Sequence, residues 1–535
     1  MPKLIVARVR RVAAAVSVWS ACSVATVAVP NSALAQQSEK LGTISFPTSG
    51  SAAAQPEFIR GMLLYYSFEY GRAADAFRAA QKADPSFALA YAGEALTFTH
   101  QVWDEQDINA ARAALNRLAP TAAARRGKAG TERERMYMDA VEILYGDGPK
   151  PRRDTLFTIA IERIERAFPD DDDAQVIHAL GLLGWNQGVR EFTTYMQAGA
   201  IAEGVLRRYP DHPGAAHFVI HAFDDPIHAP LGLWAARLYS KIAPAAPHAQ
   251  HMTSHIFVAL GMWDDVISQN VIAAGPRPDT HRAGHYTWWL NYGYVQAGRH
   301  AEASRHLETM RKNVRVPHRG GEMPALIMMR AHYVLDSERW NDPIASWDLG
   351  TTTTSPFATP ADRFVAGYVA LKRGDTVAAS TIAADLAKSA ALSRGGAVEF
   401  EGAAGILAME LRGAALSAQG KHAEAIAALV SATTAEDALP FEFGPPMIPK
   451  PAHELAGEVL LAAGQAADAQ AEFQKSLART PLRPRSLIGL ARAASAAGDK
   501  ATAESAVNRL RAVWHAADKD IPELAELSRL AANKE

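Results

Sequence analysis

The stretch GQAADAQAEFQKSLARTP, residues 464–481, contains the pattern on which the fold prediction depends. It begins with a glycine, ends with a proline, and carries small or apolar residues at helical spacing between them: Gly464, Ala469, Phe473, Ser476 and Pro481. The same spacing returns in the segment that follows: Gly498, Ala503, Val507 and Leu510. Segments rich in Ala and Leu, separated by Gly, Pro or Asp, fill most of the chain after residue 57, without convincing strand alternation. The sequence therefore predicts an all-α fold.

A second copy of the template lies near the start of the chain: Gly61, Ala73, Phe77, Ala80 and Pro85. This pattern resembles the tetratricopeptide repeat (TPR), a helical hairpin of about 34 residues. The resemblance covers most of residues 57–515, and residues 228–233, 251–257 and 477–487 are also similar to those of exported bacterial TPR-repeat proteins. The resemblance implies a TPR-like right-handed α-solenoid of helical hairpins with a concave groove, in which each repeat contacts chiefly its neighbours.

The composition is that of a soluble globular protein. Of 535 residues, 48% are hydrophobic and 21% are charged, which excludes a wholly disordered chain. Lys and Arg number 55 against 57 Asp and Glu, a net charge of −2, so no basic field indicates nucleic acid as a partner.

Residues 1–35 are typical of an export signal. Four basic residues (Lys3, Arg8, Arg10 and Arg11) precede an apolar stretch at 12–29, and Ala33-Leu34-Ala35 predicts cleavage after Ala35. An uncleaved anchor is the alternative. Cleavage would remove Cys22, the one cysteine of the chain, so the mature protein would have no disulfide and no thiolate ligand. We therefore expect a periplasmic or secreted protein with no membrane span after signal removal.

The pattern divides the remaining chain into five parts. We expect a flexible linker at 36–56, degenerate TPR-like helices at 57–200, His-rich repeats at 201–310, further repeats at 311–520 and a tail at 521–535.

Histidines are concentrated in one part of the chain. Nine of the 18 fall between residues 212 and 285. Three HxxxH pairs are present: His217/His221, His251/His255 and His281/His285. On a helix this spacing places two rings on one face, about 5–6 Å apart at Cβ, where they chelate one ion. The interval from the first pair to the second equals that from Gly464 to Gly498, which is one repeat length. The first two pairs are the predicted metal ligands.

The TPR resemblance implies that positions 2, 5 and 9 of each first helix line the groove. On the central repeats, four residues besides the predicted metal ligands take these positions and are predicted to bind a ligand: His248, His285, Trp288 and Tyr292. Glu454 and Glu458 take positions 5 and 9 further on, as candidate metal ligand or general base. Arg485 and Arg492 would add positive charge that accepts a carboxylate or a peptide terminus.

Without thiolates, an imidazole and carboxylate site favours zinc first, then copper, iron or nickel, and no organic cofactor is indicated. Residues 443–446, Phe-Gly-Pro-Pro, form a rigid loop that could fold over the cavity. Asp224 and Asp225 follow the first pair, and we interpret them as a solvated helix end. HExxH, Gly-rich phosphate loops and GxSxG are missing from the sequence.

Three functions are compatible with these features. The first is a periplasmic solenoid that binds a peptide, a protein or a small molecule in its groove through a metal-coordinating histidine cluster. The second is a metal-dependent hydrolase or oxidoreductase that uses the same cluster. The third is a peptide-binding adaptor whose histidines are structural.

Overall fold

In the computed structural model, the predicted repeat turns at a glycine with positive φ. Gly464 and Gly498, at equivalent places in two successive repeats, both have φ of 79°. This left-handed conformation favours glycine. After each, the next residue closes the turn: Gln465 N–H donates to Leu460 O at 2.9 Å, and Asp499 N–H to Ala494 O at 2.8 Å. Four other glycines have the same conformation: Gly261, Gly298, Gly374 and Gly420.

The structure describes residues 39–185, 190–314, 321–349, 355–392, 402–441 and 443–532. In the first part of the chain the helices are α1 Gln55–Tyr66, α2 Tyr70–Ala83, α3 Ala88–Leu96, α4 Ile108–Leu118, α5 Ala122–Arg126, α6 Glu132–Leu144, α7 Lys150–Ala167, α8 Asp172–Trp185 and α9 Phe192–Arg208. The central helices are α10 Pro213–Phe223, α11 Ala229–Ile242, α12 Pro247–Ala259, α13 Trp263–Ala274, α14 His285–Gln296, α15 His300–Asn313 and α16 Glu322–Ser337. The last helices are α17 Ala358–Lys372, α18 Thr376–Leu392, α19 Ala403–Ala418, α20 His422–Asp437, α21 Ala452–Ala462, α22 Ala466–Arg479, α23 Pro484–Ala496, α24 Lys500–Val513 and α25 Pro522–Ala532.

Short elements complete the described chain. Strands β1 (Thr99–His100) and β2 (Glu105–Gln106) pair antiparallel, and three 3₁₀ turns lie at Gln101–Trp103, Pro278–Thr280 and Pro343–Ser346. Within the described ranges, every helix is too short or too polar to cross a bilayer.

Consecutive helices pack as hairpins, and the first helices of successive hairpins pack side by side, as α8 does on α10 and α10 on α12. The predicted fold class, an all-α solenoid of helical hairpins, is confirmed.

A phenylalanine on the second helix of a hairpin explains why the repeat needs small residues. A Cβ at Gly61 or Gly93 would come within 2.6 or 2.5 Å of the Phe77 ring. Phe473 stands in the same relation to Gly457 and Gly489, at 2.9 and 2.2 Å. In both cases the phenylalanine lies midway in sequence between its two glycines. Glycine therefore lets two first helices close on one fully buried aromatic side chain.

The two ends of the repeat array differ from the prediction. The signal assigned to 1–35 lies outside the described residues. From Lys40 on, the segment predicted as a flexible linker packs on the same compact unit as the helices: Leu41 and Phe46 are buried, and Thr43 N–H donates to Asp211 O at 3.0 Å. The predicted tail forms α25, where Leu527 is buried. Apolar side chains in both stretches are packed in the core, which excludes a free linker or tail in the described parts.

The C-terminal hairpins also pack on the central ones, although the repeat pattern predicts contacts chiefly between neighbours. Trp263 Nε1–H donates to Leu482 O at 3.2 Å, and Trp514 Nε1–H donates to Gln296 O at 3.2 Å. Asp518 N–H donates to Gly298 O at 3.0 Å. The C-terminal hairpins thus pack against the turns of the central hairpins, although they come much later in the chain.

A buried ion network fixes this long-range contact. Arg483, fully buried, pairs with Asp336 of α16 and, at 2.8 Å, with Glu454 of α21. The other Glu454 oxygen lies 3.2 Å from Lys450 Nζ. Because four charged groups share a region that excludes water, removal of one leaves its partners unpaired.

We therefore expect Arg483→Met to lower the apparent free energy of unfolding in urea by about 3–5 kcal/mol, since Asp336 loses its cationic partner while it stays buried. Arg492→Met is the matched control: this arginine pairs with Glu526, but 39% of its side chain is exposed, so its loss should cost about 1 kcal/mol or less. Equal losses in the two variants would contradict the assigned role of the network.

Glu410 of α19 should make the free energy of unfolding depend on pH. Both its carboxylate oxygens are buried without a hydrogen-bond partner among the described residues. Burial, and then the nearby Glu436, raise the pKa of Glu410 well above 4.5. Above pH 4.5 the folded chain therefore keeps a proton that the unfolded chain releases, and stability falls as the pH rises toward the folded pKa.

Glu410→Gln removes this proton. We expect the variant to gain stability relative to the parent chain between about pH 5 and about pH 8, measured by urea unfolding at both values. The exposed Glu424→Gln should show no such trend. A Glu410→Gln effect that is the same at both pH values would disprove the assignment.

Candidate metal centre

The two predicted HxxxH pairs lie on α10 and α12, and the structure brings them together. All four rings are buried, with exposed fractions of 0–3%. The ring centroids of His217 and His221 are 4.8 Å apart, and those of His251 and His255 are 5.1 Å apart. Across the two helices, His221 and His255 are 5.6 Å apart. The chelating spacing predicted from the sequence is therefore present, and the two pairs adjoin.

Two further histidines complete two groups of three, which we call triad 1 (His217, His221, His248) and triad 2 (His251, His255, His285). In each triad, one possible ligand atom per residue lies within 4.8 Å of the others. His248 is 5% exposed, whereas His285, the first residue of α14, is in contact with solvent. Triad 2 is thus the one with an accessible side.

The hydrogen bonds of the rings fix which nitrogen is free. His251 Nδ1 lies 2.7 Å from Asn270 Oδ1, and Asn270 Nδ2 donates to Val266 O, so the amide oxygen is the acceptor. His255 Nδ1 donates to Asp224 at 3.0 Å. Both rings therefore carry their hydrogen on Nδ1 and hold a lone pair on Nε2.

These two Nε2 atoms are 3.2 Å apart. Because neither carries a hydrogen, no hydrogen bond joins them, and two lone pairs face each other at a distance that suits a shared cation. Two nitrogens bound to one tetrahedral zinc ion lie about 3.3 Å apart. The spacing in the folded chain matches that of two ligands of one ion.

In triad 1 as well, a ring carries its hydrogen on Nδ1 and the Nε2 atoms are free. His217 Nδ1 lies 2.6 Å from the carbonyl oxygen of Tyr66, so this nitrogen carries the hydrogen. The Nε2 atoms of His217, His221 and His248 are buried and have no hydrogen-bond partner among the described residues. Buried polar atoms without partners are rare in folded proteins, and three in one place indicate a ligand site.

Asp224 joins the two triads through their outer nitrogens. Its carboxylate accepts from His255 Nδ1 and lies 3.4 Å from His221 Nδ1. Arg190, between α8 and α9, donates to it at 2.7 Å and lies 3.4 Å from Asp225. Both aspartates are at most 1% exposed, so their interpretation as a solvated helix end is wrong. Arg190 supplies the compensating charge, and nothing in the sequence indicates that contact.

The electrostatics of the cluster favour neutral rings. Burial, with the neighbouring imidazoles, lowers the pKa of His217, His248 and His251 well below 6.5. Burial alone would raise the pKa of Asp224, but Arg190 and the two imidazoles hold it far below its usual value. His217, His248 and His251 are thus neutral imidazoles at neutral pH, the form that binds metal, beside one ionised carboxylate.

Aromatic side chains enclose the imidazoles. Phe68, which follows α1 with a positive φ of 53°, places its ring 4.3 Å from His217 and 5.5 Å from His248. The unfavourable backbone conformation of a bulky residue is typical of functional sites. On the other side, Trp289 stacks on His255 at 4.4 Å.

The Phe-Gly-Pro-Pro loop covers the cluster, as predicted. Phe443 also stacks on His255, with centroids 5.6 Å apart. Gly444, with φ of 132°, lies so close to Trp289 that a Cβ would come within 2.3 Å of the indole.

The predicted carboxylates lie elsewhere. Glu454 binds Arg483, Ser486 and Lys450, and Glu458 binds Lys450 at 2.7 Å. Among the described residues, neither glutamate belongs to a group able to hold a metal. Their predicted role as ligand or general base for the histidine site is therefore wrong. Their helix, α21, places them in the ion network with Arg483 and Lys450 instead.

Most side chains that were predicted to line the groove instead contact other residues of the chain. Trp288 and Tyr292 are buried beside His332 of α16, at 6.2 and 4.8 Å, and do not line the cluster. Trp289, one position along the helix, takes the place predicted for Trp288. Arg485 pairs with Glu523 and Glu338, and Arg492 with Glu526, so neither cation is free for a ligand carboxylate.

The third HxxxH pair does not form on a helix. His281 precedes α14 and its Nε2 lies 3.0 Å from Gly275 O, so only His285 joins the cluster. Sequence reasoning missed four contributors: Tyr66, Phe68, Arg190 and Asn270. Of these, only Asn270 carried a signal, as a polar residue on the helix that pairs with α12.

No family model matches the chain, and no curated protein does so. Among solved structures, the APC/C hetero-tetramer Cut9–Hcn1 aligns over 84% of this chain and 78% of that chain, at 15% identity and a TM-score of 0.33. Yeast Tom70 aligns over 89% and 94%, at 10% identity and 0.26. The TPR domain of P58(IPK) aligns over 84% and 99%, at 12% identity and 0.22. Likeness at this level does not show what the chain binds.

Gly444→Val should displace the loop, because its side chain would overlap Trp289. We expect acrylamide to quench tryptophan fluorescence more strongly in the variant, and the added quenching to vanish in a Trp289→Phe background. Gly148→Val is the matched control: this glycine also has positive φ, but nothing lies within 4 Å of its Cβ position. Unchanged quenching in Gly444→Val would show that the loop does not protect Trp289.

Proposed function

We propose that this chain is an exported metalloprotein that binds a first-row transition metal in its histidine cluster and a ligand in the adjoining groove. The observation that carries the proposal is the pair of hydrogen-free Nε2 atoms of His251 and His255, 3.2 Å apart. Each ring is held in that tautomer by an acceptor on Nδ1, the arrangement found behind metal-binding histidines.

The donor set indicates the class of metal. Imidazole nitrogens dominate, and the described residues of the cluster include no thiolate. Such sites suit zinc, copper, iron and nickel, and among divalent ions the intrinsic affinity is greatest for copper. A hard ion such as magnesium or calcium needs oxygen ligands and is disfavoured.

The residues around the metal would supply the ligand groove. Helical-hairpin repeats present extended concave surfaces that take peptides, proteins or small molecules. His285 is the exposed imidazole of the cluster, so a ligand would approach from the start of α14. The export signal predicted at 1–35 supports a periplasmic or secreted location for this activity.

A metal-dependent enzyme is the second candidate, and one observation favours it. Catalytic zinc sites hold three protein ligands and keep one position open, and triad 2 has three imidazoles and a side that faces solvent. With Glu454 and Glu458 elsewhere, the described cluster offers no unpaired carboxylate as a general base, so a metal-bound water would have to supply the nucleophile.

Metal analysis of protein purified without a histidine tag tests the proposal. We expect stoichiometric zinc or copper in the parent chain, and a thermal transition that falls when a chelator removes the ion. His217→Ala/His251→Ala should lose at least about ten-fold in affinity, since each triad loses a ligand. The control His422→Ala/His515→Ala removes two histidines outside the cluster and should retain the metal. A parent chain without bound metal and with no response to chelator would refute metal binding.

A further inference from the structure

We infer that the cluster is a dinuclear centre, with one ion in triad 1 and a second in triad 2. This inference rests on the proposed function, because it assumes that the cluster binds metal at all. It goes further in the number of ions and in the chemistry of the ligand that they would take.

The separation of the imidazoles excludes a single shared ion. Two nitrogens bound to one ion at about 2.0–2.1 Å lie at most about 4.2 Å apart. Among the described residues, the ligand atoms come within 4.8 Å of one another only in threes: triad 1, triad 2, and a third group of His221, Asp224 and His255 that takes one ring from each triad. No group contains four imidazoles, so a single ion leaves at least three of the six rings without a metal.

Both triads have imidazole rings whose Nδ1 atom contacts an acceptor and whose Nε2 atom is left for an ion. In triad 2, Asn270 and Asp224 occupy the Nδ1 atoms of His251 and His255. In triad 1, the Tyr66 carbonyl occupies Nδ1 of His217, and all three Nε2 atoms are buried without partners among the described residues. If only one triad held an ion, the other would keep its buried acceptors unsatisfied, which is unfavourable for each atom. The second ion removes that cost.

Asp224 couples the two positions. It contacts one ring of each triad, His221 and His255, on the Nδ1 side, so that their Nε2 atoms point away from it. Arg190 donates to its other oxygen at 2.7 Å, while the first oxygen lies toward the two imidazole Nδ1 atoms. The two ions would thus share an outer partner while each has three neutral ligands.

The charge of such a centre indicates the ligand class. Two divalent ions bring four positive charges among neutral imidazoles, and Arg190 already balances Asp224. The neutralising charge must come from outside the described cluster, which favours a small anion or an anionic oxygen donor that contacts both ions. The exposed His285 marks the side from which it would enter.

Titration of the metal-free full chain with Cu(II) tests the inference, read by bound copper and by electron paramagnetic resonance. We expect two equivalents in the parent chain, with a signal that is broadened and reduced per copper by the neighbouring ion. His285→Ala and His248→Ala should each bind one equivalent tightly, and that copper should give a full, isolated signal. His285 is exposed, so its variant should fold, which circular dichroism checks for both.

The outcomes separate the two proposals. No tight copper in the parent chain would overturn metal binding altogether. A single equivalent, lost in only one of the two variants, would leave metal binding intact and overturn the dinuclear centre. Two equivalents with full, uncoupled signals would also overturn it, because the ions would then not be neighbours. Addition of azide as an anionic probe should change the spectrum of the two-copper form more than that of either one-copper variant.

Discussion

The Asp224 carboxylate accepts a hydrogen bond from His255 and contacts His221 while Arg190 balances its charge, all in a region closed to water. Imidazoles are costly to bury unless each N–H finds an acceptor, and a buried carboxylate is costly unless a cation lies beside it. This one arrangement meets both demands and sets the tautomer of His255, while Asn270 and the Tyr66 carbonyl set those of His251 and His217. The orientation of His255 Nε2, one of the two nitrogens that face each other in the candidate metal centre, depends on it.

The site also depends on contacts that are distant along the chain. Tyr66 and Phe68 lie at the turn between the two helices of the first hairpin, α1 and α2, and contact α10, which lies much further along the chain. Phe443 and Gly444 come from the opposite direction and cover α12 and α14. A solenoid that contacts only its neighbours would bring none of these groups to the histidines. The C-terminal hairpins contact the central ones through Arg483 and at the turns of Gly261 and Gly298.

Particular residues show where prediction from sequence succeeds and where it fails. The glycine turns, the phenylalanine contacts and the two HxxxH pairs were predictable, since each depends on spacing within one or two helices. Trp288 was predicted in place of Trp289, because one step along a helix rotates a side chain by about 100° and the repeat frame does not fix the rotation that finely. Glu454, Arg485 and Asp224 were misjudged because their surroundings depend on partners on other segments of the chain: Arg483, Glu523 and Arg190.

The sequence by itself determined the helical hairpins, their repeat period and the chelating pairs, because backbone geometry alone fixes which side chains share a helix face. Only the tertiary structure decided that six imidazoles form two adjoining triads, which nitrogen of His251 and His255 is free, and which loop covers them. Those features arise from packing between segments that are distant in the sequence. Because burying polar groups is costly, the favoured arrangement is the one in which Nδ1 of His251 and His255 donates to an acceptor and the two Nε2 atoms face each other.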